Sequence, residues 1–456
     1  MANGRPTEGE PGRSPGKNPG GRGANEEGLK TLGQQMHPSS GGVANEAGLR
    51  SLGARINASN AARQGRRRSG KPKWSVGKKV VVSLLALVVL GALVAGGSYG
   101  YLWYRFDQLD KVHIADEVAA QNGGPFTMLV IGSDSRAGIT GGKAAQQYGS
   151  ASEVAGQRSD VVQLWRVTPA TEQIQIVSIP RDTVVSMLAP DSQQFGTYNR
   201  INASYNSGAN QLVKTITANF GIPINHVVQV DFAGFQDAVN AVGGIYLDFP
   251  YPAKDAYSGL DITTTGCQLL DGTQALAVAR ARHYEYYADG TWQYDGTSDF
   301  GRIQRQDVFI KALMDAAKSK INPLQINAFI GSLHEGITID DEWSLNELIG
   351  LALTYHSYDP ADLQAETLPT LATNGFEGLG DVLTVDQPAA QEMLVNVFGN
   401  SLVTPTNPPP DADGNPNPPP VVTTTPASAT PAPATANTTP TTTPPPSFDP
   451  TTCAPS

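Results

Sequence analysis

The sequence predicts an α/β fold: a layered α/β/α domain with a central mixed sheet, preceded by one transmembrane helix and flanked by disordered segments. Three observations predict it. Between about residues 105 and 400, short β-branched runs alternate with stretches that carry apolar residues at helical spacing. Ahead of them lies Val80–Gly100, 21 residues without a charge, which as a helix spans about 31 Å, the thickness of a hydrocarbon core. On either side the composition shifts to Gly, Ser, Asn and Arg or to Pro, Thr and Ala, neither of which builds a core.

Charge divides the chain in the same place. Up to Lys79 there are 15 Lys and Arg against 5 Asp and Glu, and beyond it 17 against 37. Arg66, Arg67, Arg68, Lys71, Lys73, Lys78 and Lys79 crowd the N-terminal side of the apolar stretch. The positive-inside rule therefore places residues 1–79 in the cytoplasm, a single span at 80–104 in the plasma membrane, and the rest outside. Trp74, Tyr101, Trp103 and Tyr104 form the interfacial aromatic belts. A cleaved signal peptide is not expected behind so long a polar leader. The strongly acidic outer part argues against a nucleic-acid partner.

The leader contains two related segments, "ANEEGLKTLGQQM" over 24–36 and "ANEAGLRSLGARI" over 44–56. They read either as docking peptides for a cytoplasmic protein, anchored by Leu29, Leu32, Leu49 and Leu52, or as a local duplication. Residues 401–456 read as an extended, coreless stalk into the wall. Cys267 and Cys453 are the only cysteines. In an oxidising compartment they either pair or leave an intermolecular thiol, and the sequence leaves both open.

Within 105–400, "FTMLVIG", "VVQLWRV", "QIQIVSI", "HVVQVDF" and "GIYLDF" are the expected strands. "ANQLVKTITANF", "FAGFQDAVNAV", "GRIQRQDVFIKALMDAAKSK" and "SLNELIGLALTYH" are the expected helices. Ile303, Ile310, Leu313 and Met314 make one apolar stripe on the third, and Gly243 and Gly244 end the second.

Arginine placement carries the chemistry. Arg136, Arg158, Arg181, Arg280, Arg282, Arg302 and Arg305 all fall near element ends, where binding groups sit in α/β folds. Guanidinium groups fork onto phosphate oxygens in a way lysine does not reproduce. Gathering several in an acidic domain is costly unless a polyanion or carboxylates compensate them. Arg158 and Asp160 open one strand on a shared face, and Arg181 and Asp182 follow another where Pro180 stops the ladder. Arg280 and Arg282 share a face, as do Asp299, Arg302 and Gln306 at a helix start. Together they describe one diphosphate site, with Asp134 and Asp160 as oxygen ligands for Mg²⁺. Surface salt bridges are the bland alternative. His283 reads as a structural imidazole bonded to a carboxylate. Ser133 and Ser135 lack a nucleophile elbow, and no phosphate-binding loop of the nucleotide-hydrolase type occurs.

The stretches "IGSDSR", "RSDVV", "SIPRDT", "RINASYNSGANQLVKTI", "VDFAGFQDAVNAVGGI", "LLDGTQALAVARARH" and "DFGRIQRQ", over about 125–320, resemble the LytR-CpsA-Psr family of Gram-positive bacteria, including its actinobacterial members. The resemblance implies a membrane-anchored phosphotransferase that moves a glycopolymer from a polyprenyl diphosphate carrier to peptidoglycan, through a phosphodiester to N-acetylmuramic acid. It implies metal carboxylates at Asp134 and Asp160 and diphosphate arginines at Arg158, Arg181, Arg280, Arg282 and Arg302, with Gln306 beside them and Asp299 before the Gly-Arg. The loop between Asp134 and Arg158 is longer than the family's usual one, and the Pro/Thr tail stands where some actinobacterial members carry a further module. The acceptor hydroxyl needs a base, for which Asp160 and Asp182 are candidates. "QLVKTITANF" and "QDVFIKALM" are expected to line a lipid groove. Two rival functions are a polyprenyl diphosphate phosphatase using water as acceptor and a non-catalytic sensor of wall precursors.

Overall fold

The structure is a computed structural model of the chain, describing residues 51, 54–55, 57–58, 76–114, 118–119, 123–133, 159–318, 336–415 and 448–454. Met1–Leu90 and Gly91–Ser456 are separate units. The first leader repeat and most of the second lie outside the described residues. Helix α1 runs Val76–Asp107, and its Leu87–Asp107 part is long and apolar enough to cross a membrane.

The second unit is built on a seven-stranded mixed sheet. Its strands are β1 (Asp110–Val112), β2 (Phe126–Ser133), β3 (Ser159–Thr168), β4 (Gln173–Ser178), β7 (His226–Val230), β14 (Ile337–Asp340) and β15 (Gln364–Thr367). They lie in the order β1-β14-β7-β2-β3-β4-β15, with β2 antiparallel to β3 and parallel to β7. Period two decides which layer each side chain joins. From β2 and β3, Leu129, Ile131, Val162 and Leu164 enter one core with helices α2 (Ala209–Phe220) and α7 (Gln387–Phe398). Val130, Val161, Gln163 and Trp165 face the other layer. That layer holds α3 (Phe232–Ala241), α4 (Gly272–Arg280) and α5 (Asp299–Lys318). At the end of β2 a Cβ on Gly132 would come within 2.7 Å of the Val161 Cβ, so only glycine lets the strands approach where the register shifts before Ser133.

Local signals behave as the residues dictate. Asp271 and Gln274 form a capping box on α4, and Ser344 and Glu347 another on α6 (Leu345–Thr354). Gly243 and Gly244 take positive φ after α3. "GIYLDF" forms a strand as expected, but β8 (Ile245–Phe249) lies outside the central sheet and pairs with β11 (Gly266–Leu270). Beside it β9 (Ala253–Asp255), β10 (Leu260–Ile262), β12 (Glu285–Ala288) and β13 (Thr291–Tyr294) form a small sheet, and β5 (Val184–Ser186) with β6 (Tyr198–Arg200) and β16 (Thr370–Thr373) with β17 (Val382–Val385) make two further two-stranded pairs.

The tail needs the larger correction. Residues 401–456 were expected to form a coreless stalk, yet 448–454 return to the domain. Strand β18 (Thr451–Thr452) pairs with β8, Phe448 stacks on Tyr286 at 4.5 Å, and Cys453 is disulfide-bonded to Cys267. Near the start of the same segment, Val403 and Asn407 donate backbone hydrogen bonds to α2 and the residue after it. Composition misled because a few anchoring residues lie among many prolines and threonines. The intervening 416–447 are outside the described residues.

Candidate active site

Between the sheet and α3, α4 and α5 lies a cavity of about 510 Å³. Its floor is apolar, with Trp165, Phe235, Leu276, Phe309, Ile310, Leu313 and Met314; its mouth carries Asp160, Arg280, Arg282 and Arg302. Ile310, Leu313 and Met314 of the α5 stripe line it, whereas Ile303 is buried away from it. The α2 residues "QLVKTITANF" do not: Leu212, Val213 and Ile216 are buried in the core on the opposite face of the sheet.

At the mouth, side chains far apart in sequence form one ionic network. Arg181 Nη1 donates to Asp160 Oδ1 at 2.6 Å, and Arg282 Nη2 reaches the same oxygen at 3.5 Å. Arg282 Nε lies 3.3 Å from Asp299 Oδ1, which Arg302 Nη2 approaches at 2.7 Å. Arg302 Nη2 also donates to the Asp160 backbone oxygen at 2.8 Å. Arg181 and Arg200 close on Asp182 at 3.5 and 3.2 Å. Four guanidiniums thus share three carboxylates, and Arg280 adds a fifth positive group over the Phe232 ring, 4.4 Å from its centroid. The side-chain hydrogen bonds from Arg181 and Arg282 to Asp160 both go to Oδ1.

The backbone holding these groups is itself fixed. Asp255, 1% exposed, accepts the N–H groups of Arg282 and His283 through Oδ2 at 2.8 and 2.9 Å. Arg305, fully buried, donates to the Ala281 carbonyl between Arg280 and Arg282 at 2.9 Å. Gln306 lines the cavity, but its Nε2 donates to the Ala279 carbonyl, so its amide nitrogen ties α5 to α4. Asp299 sits in the first turn of α5, where the helix dipole favours a carboxylate.

Charge states follow from burial and neighbours. Burial alone would raise the Asp160 carboxyl, but Arg302, Arg282 and Arg181 outweigh it and hold the group below the usual carboxylate range. Burial pushes Arg302 down to about 10 and also lowers Arg282, with repulsion from Arg181 adding to the latter. Burial lowers Arg181 too, but Asp160 and Asp182 outweigh it and raise the group. All three arginines remain cations near neutrality. Buried positive charge in excess of its carboxylates is a site prepared for an anion.

Of the residues singled out from sequence, Asp160, Arg181, Asp182, Arg282, Asp299 and Arg302 meet in this network, and Arg280 and Gln306 share its cavity. Asp134, Arg136 and Arg158 lie outside the described residues. His283 differs from expectation: its backbone N–H binds a carboxylate, while its exposed ring lies 4.4 Å from the ring of Tyr257. Sequence reasoning missed Arg200, which belongs to no charge pair along the chain and reaches Asp182 only through tertiary folding. It missed Asp255 as well, whose role is to receive backbone N–H groups.

The model of the LytR_cpsA_psr family matches residues 104–397. The chain belongs to this family. Among curated LytR_cpsA_psr relatives, it is 31% identical over 293 residues to the polyisoprenyl-teichoic acid–peptidoglycan teichoic acid transferase TagV of Bacillus subtilis, covering 60% of this chain and 67% of the relative. It is 26% identical over 342 residues to the probable cell wall biosynthesis protein LcpB of Corynebacterium glutamicum, covering 74% and 75%. A solved LytR-Csp2A-Psr enzyme from Actinomyces oris is 25% identical, with a TM-score of 0.49 over 63% of this chain and 95% of that one.

Proposed function

We propose that this LytR_cpsA_psr protein is a membrane-anchored phosphotransferase that moves a glycopolymer from a polyprenyl diphosphate carrier to the 6-hydroxyl of N-acetylmuramic acid in peptidoglycan. The carrying observation is the junction of an apolar cavity with a cationic mouth. A prenyl diphosphate has the matching polarity: an alkyl chain for the floor lined by Phe309, Leu313 and Met314, and phosphates for Arg280, Arg282 and Arg302, with Arg181 beside them on Asp160. The family membership and the transferase activity for which TagV is named point the same way.

Transfer then needs positioning and charge neutralisation more than covalent help. The acceptor oxygen attacks the phosphorus bearing the glycan, the bond to the bridging oxygen breaks, and polyprenyl phosphate leaves. Arg282 and Arg302 stand where they can stabilise negative charge on the leaving phosphate. Asp160 is a poor proton acceptor, because three arginines lower its proton affinity. That assigns it to holding charge, with Asp182 left as the nearer candidate for the acceptor proton. Among the described residues no group of three or more His, Cys, Asp or Glu forms a metal cage. Mg²⁺ needs only one or two carboxylates plus substrate phosphates, and Asp160, whose arginine hydrogen bonds go to Oδ1, would hold it through its other oxygen, with Asp134 as the second ligand. Mg²⁺ would neutralise charge on the phosphates.

The basic residues ahead of the apolar span support a leader inside and a catalytic unit outside, and the Cys267–Cys453 disulfide supports an oxidising compartment. To test the reading, the full-length protein in detergent is given a short prenyl diphosphate glycan, Mg²⁺ and a peptidoglycan oligosaccharide, and the products are weighed. Coupled glycan is expected. Free glycan phosphate alone would mean a phosphatase, and no turnover would overturn the enzymatic reading.

A further inference from the structure

We propose that α6 is an interfacial helix whose outer face, centred on Leu353, lies in the lipid leaflet beside the point where α1 leaves the membrane. This rests on α1 as the membrane span and not on the transfer reaction. The sequence of α6 is "LNELIGLALT". An apolar helix of this length is too short to cross a bilayer, so it is either a core helix or an interfacial one. A core helix is enclosed, and α6 is not: none of its residues is buried, and Leu353 is 69% exposed. Nothing lies within 4 Å of where a Cβ on Gly350 would stand.

Helical period sorts the side chains. Leu345, Leu348, Leu351 and Tyr355 pack on a cluster that contains Phe106, Ile339 and Trp343. Asn346, Gly350 and Leu353, at i, i+4 and i+7, make the exposed outer face. The helix's one charge is confined to its start, where Glu347 accepts the N–H and hydroxyl of Ser344 in the N-terminal cap. From Leu348 to Tyr355 no side chain is charged.

Tyr99 selects lipid as the occupant. Its hydroxyl donates to Asn346 Oδ1 at 3.2 Å. Tyr99 lies within the uncharged stretch that ends at Gly100. Trp103 and Tyr104, 55% and 56% exposed, follow it as interfacial aromatics. The helical rise puts Tyr99 about 8 Å further into the apolar stretch than Tyr104. The outer face that begins at Asn346 is therefore held at the depth of lipid, where an interfacial helix buries its apolar side. Phe106 of α1 is buried in the cluster that α6 packs on, so helix and span are joined at a second point. Trp165 and Ile337 border that cluster and also line the cavity, so α6 brings the apolar cavity close to lipid.

Leu353→Trp and, as a control, Val395→Trp are made in the full-length protein in nanodiscs of phosphatidylcholine with or without bromine on the upper acyl chains. Val395 is 44% exposed on α7, whose buried side packs in the core across the sheet. Emission is taken as variant minus parent, which removes the native tryptophans. Bromolipid is expected to quench the Leu353→Trp signal at least twofold more than the Val395→Trp signal, and Ile349→Trp, one turn earlier, should behave like Leu353→Trp. Equal quenching at 353 and 395 overturns the proposal. Trp103, read as parent minus Trp103→Phe, separates that failure from failure of the span: quenched, it leaves α1 in the bilayer without α6, and unquenched, it removes both. A parent dimer that Leu353→Glu dissolves, counted by mass photometry, would put a second copy on the face and overturn the proposal as well.

Discussion

Arg305 donates through Nη1 to Asp449 Oδ1 at 2.6 Å across 144 residues of chain. The same nitrogen donates to Asp295, and Nη2 donates to the Ala281 carbonyl between two mouth arginines. The C-terminal segment is thus wired to the backbone that presents Arg280 and Arg282. Asp449→Ala leaves a fully buried guanidinium with Asp295 as its remaining carboxylate, and should cost about 1–3 kcal/mol. A fall in melting temperature of several degrees checks it. Reducing the Cys267–Cys453 disulfide should act in the same direction, since it releases the segment's end.

Arg302 supports Asp160 and Asp299 at once while buried to 3% exposure. Arg302→Lys keeps the charge but loses the planar fork. It should lower kcat/KM at least tenfold, or about 1.4 kcal/mol in transition-state stabilisation. Steady-state rates at saturating acceptor measure it, with melting temperature as the control for fold.

Burial raises the Asp307 carboxyl on α5 to about 7, with Lys311 offsetting only part of that, and its Oδ1 is buried without a hydrogen bond. A folded pKa above the unfolded value contributes stability that is present below about 4 and lost as pH rises through 7. Asp307→Asn should therefore raise the melting temperature at pH 8 by a few degrees and give no gain at pH 4. Thermal melts across that range check both the effect and its sign.

Met314 and Leu313 form part of the cavity floor. Met314→Trp should fill part of it and raise KM at least tenfold for long-chain prenyl donors, while donors with a short prenyl chain are barely affected. Comparing the two donor lengths measures this.

Much of this was legible in the chain because strands and helices announce themselves by period. The unbroken apolar run through Leu129, Val130 and Ile131 marked β2 as a strand of a buried sheet. Arg181 and Arg302 were legible because each lies beside an aspartate at an element end, and Arg282 because it shares a face with Arg280 near another element end, in so acidic a domain. What stayed hidden depended on tertiary proximity. Arg200 joins through Asp182, Asp255 works by accepting backbone N–H groups, and Asp449 finds Arg305 from within a tail whose composition reads as coreless. The α2 stripe misled because amphipathicity says that a face is buried, not which side of the sheet buries it.

The central claim is that guanidiniums from separate elements bind one diphosphate at the cavity mouth. Titrating a short-chain prenyl diphosphate into the full-length protein and its Arg282→Ala variant, calorimetrically and with equal melting temperatures, tests it most directly. Loss of affinity by at least tenfold in the variant is the expected result; equal affinity in two folded proteins would contradict it.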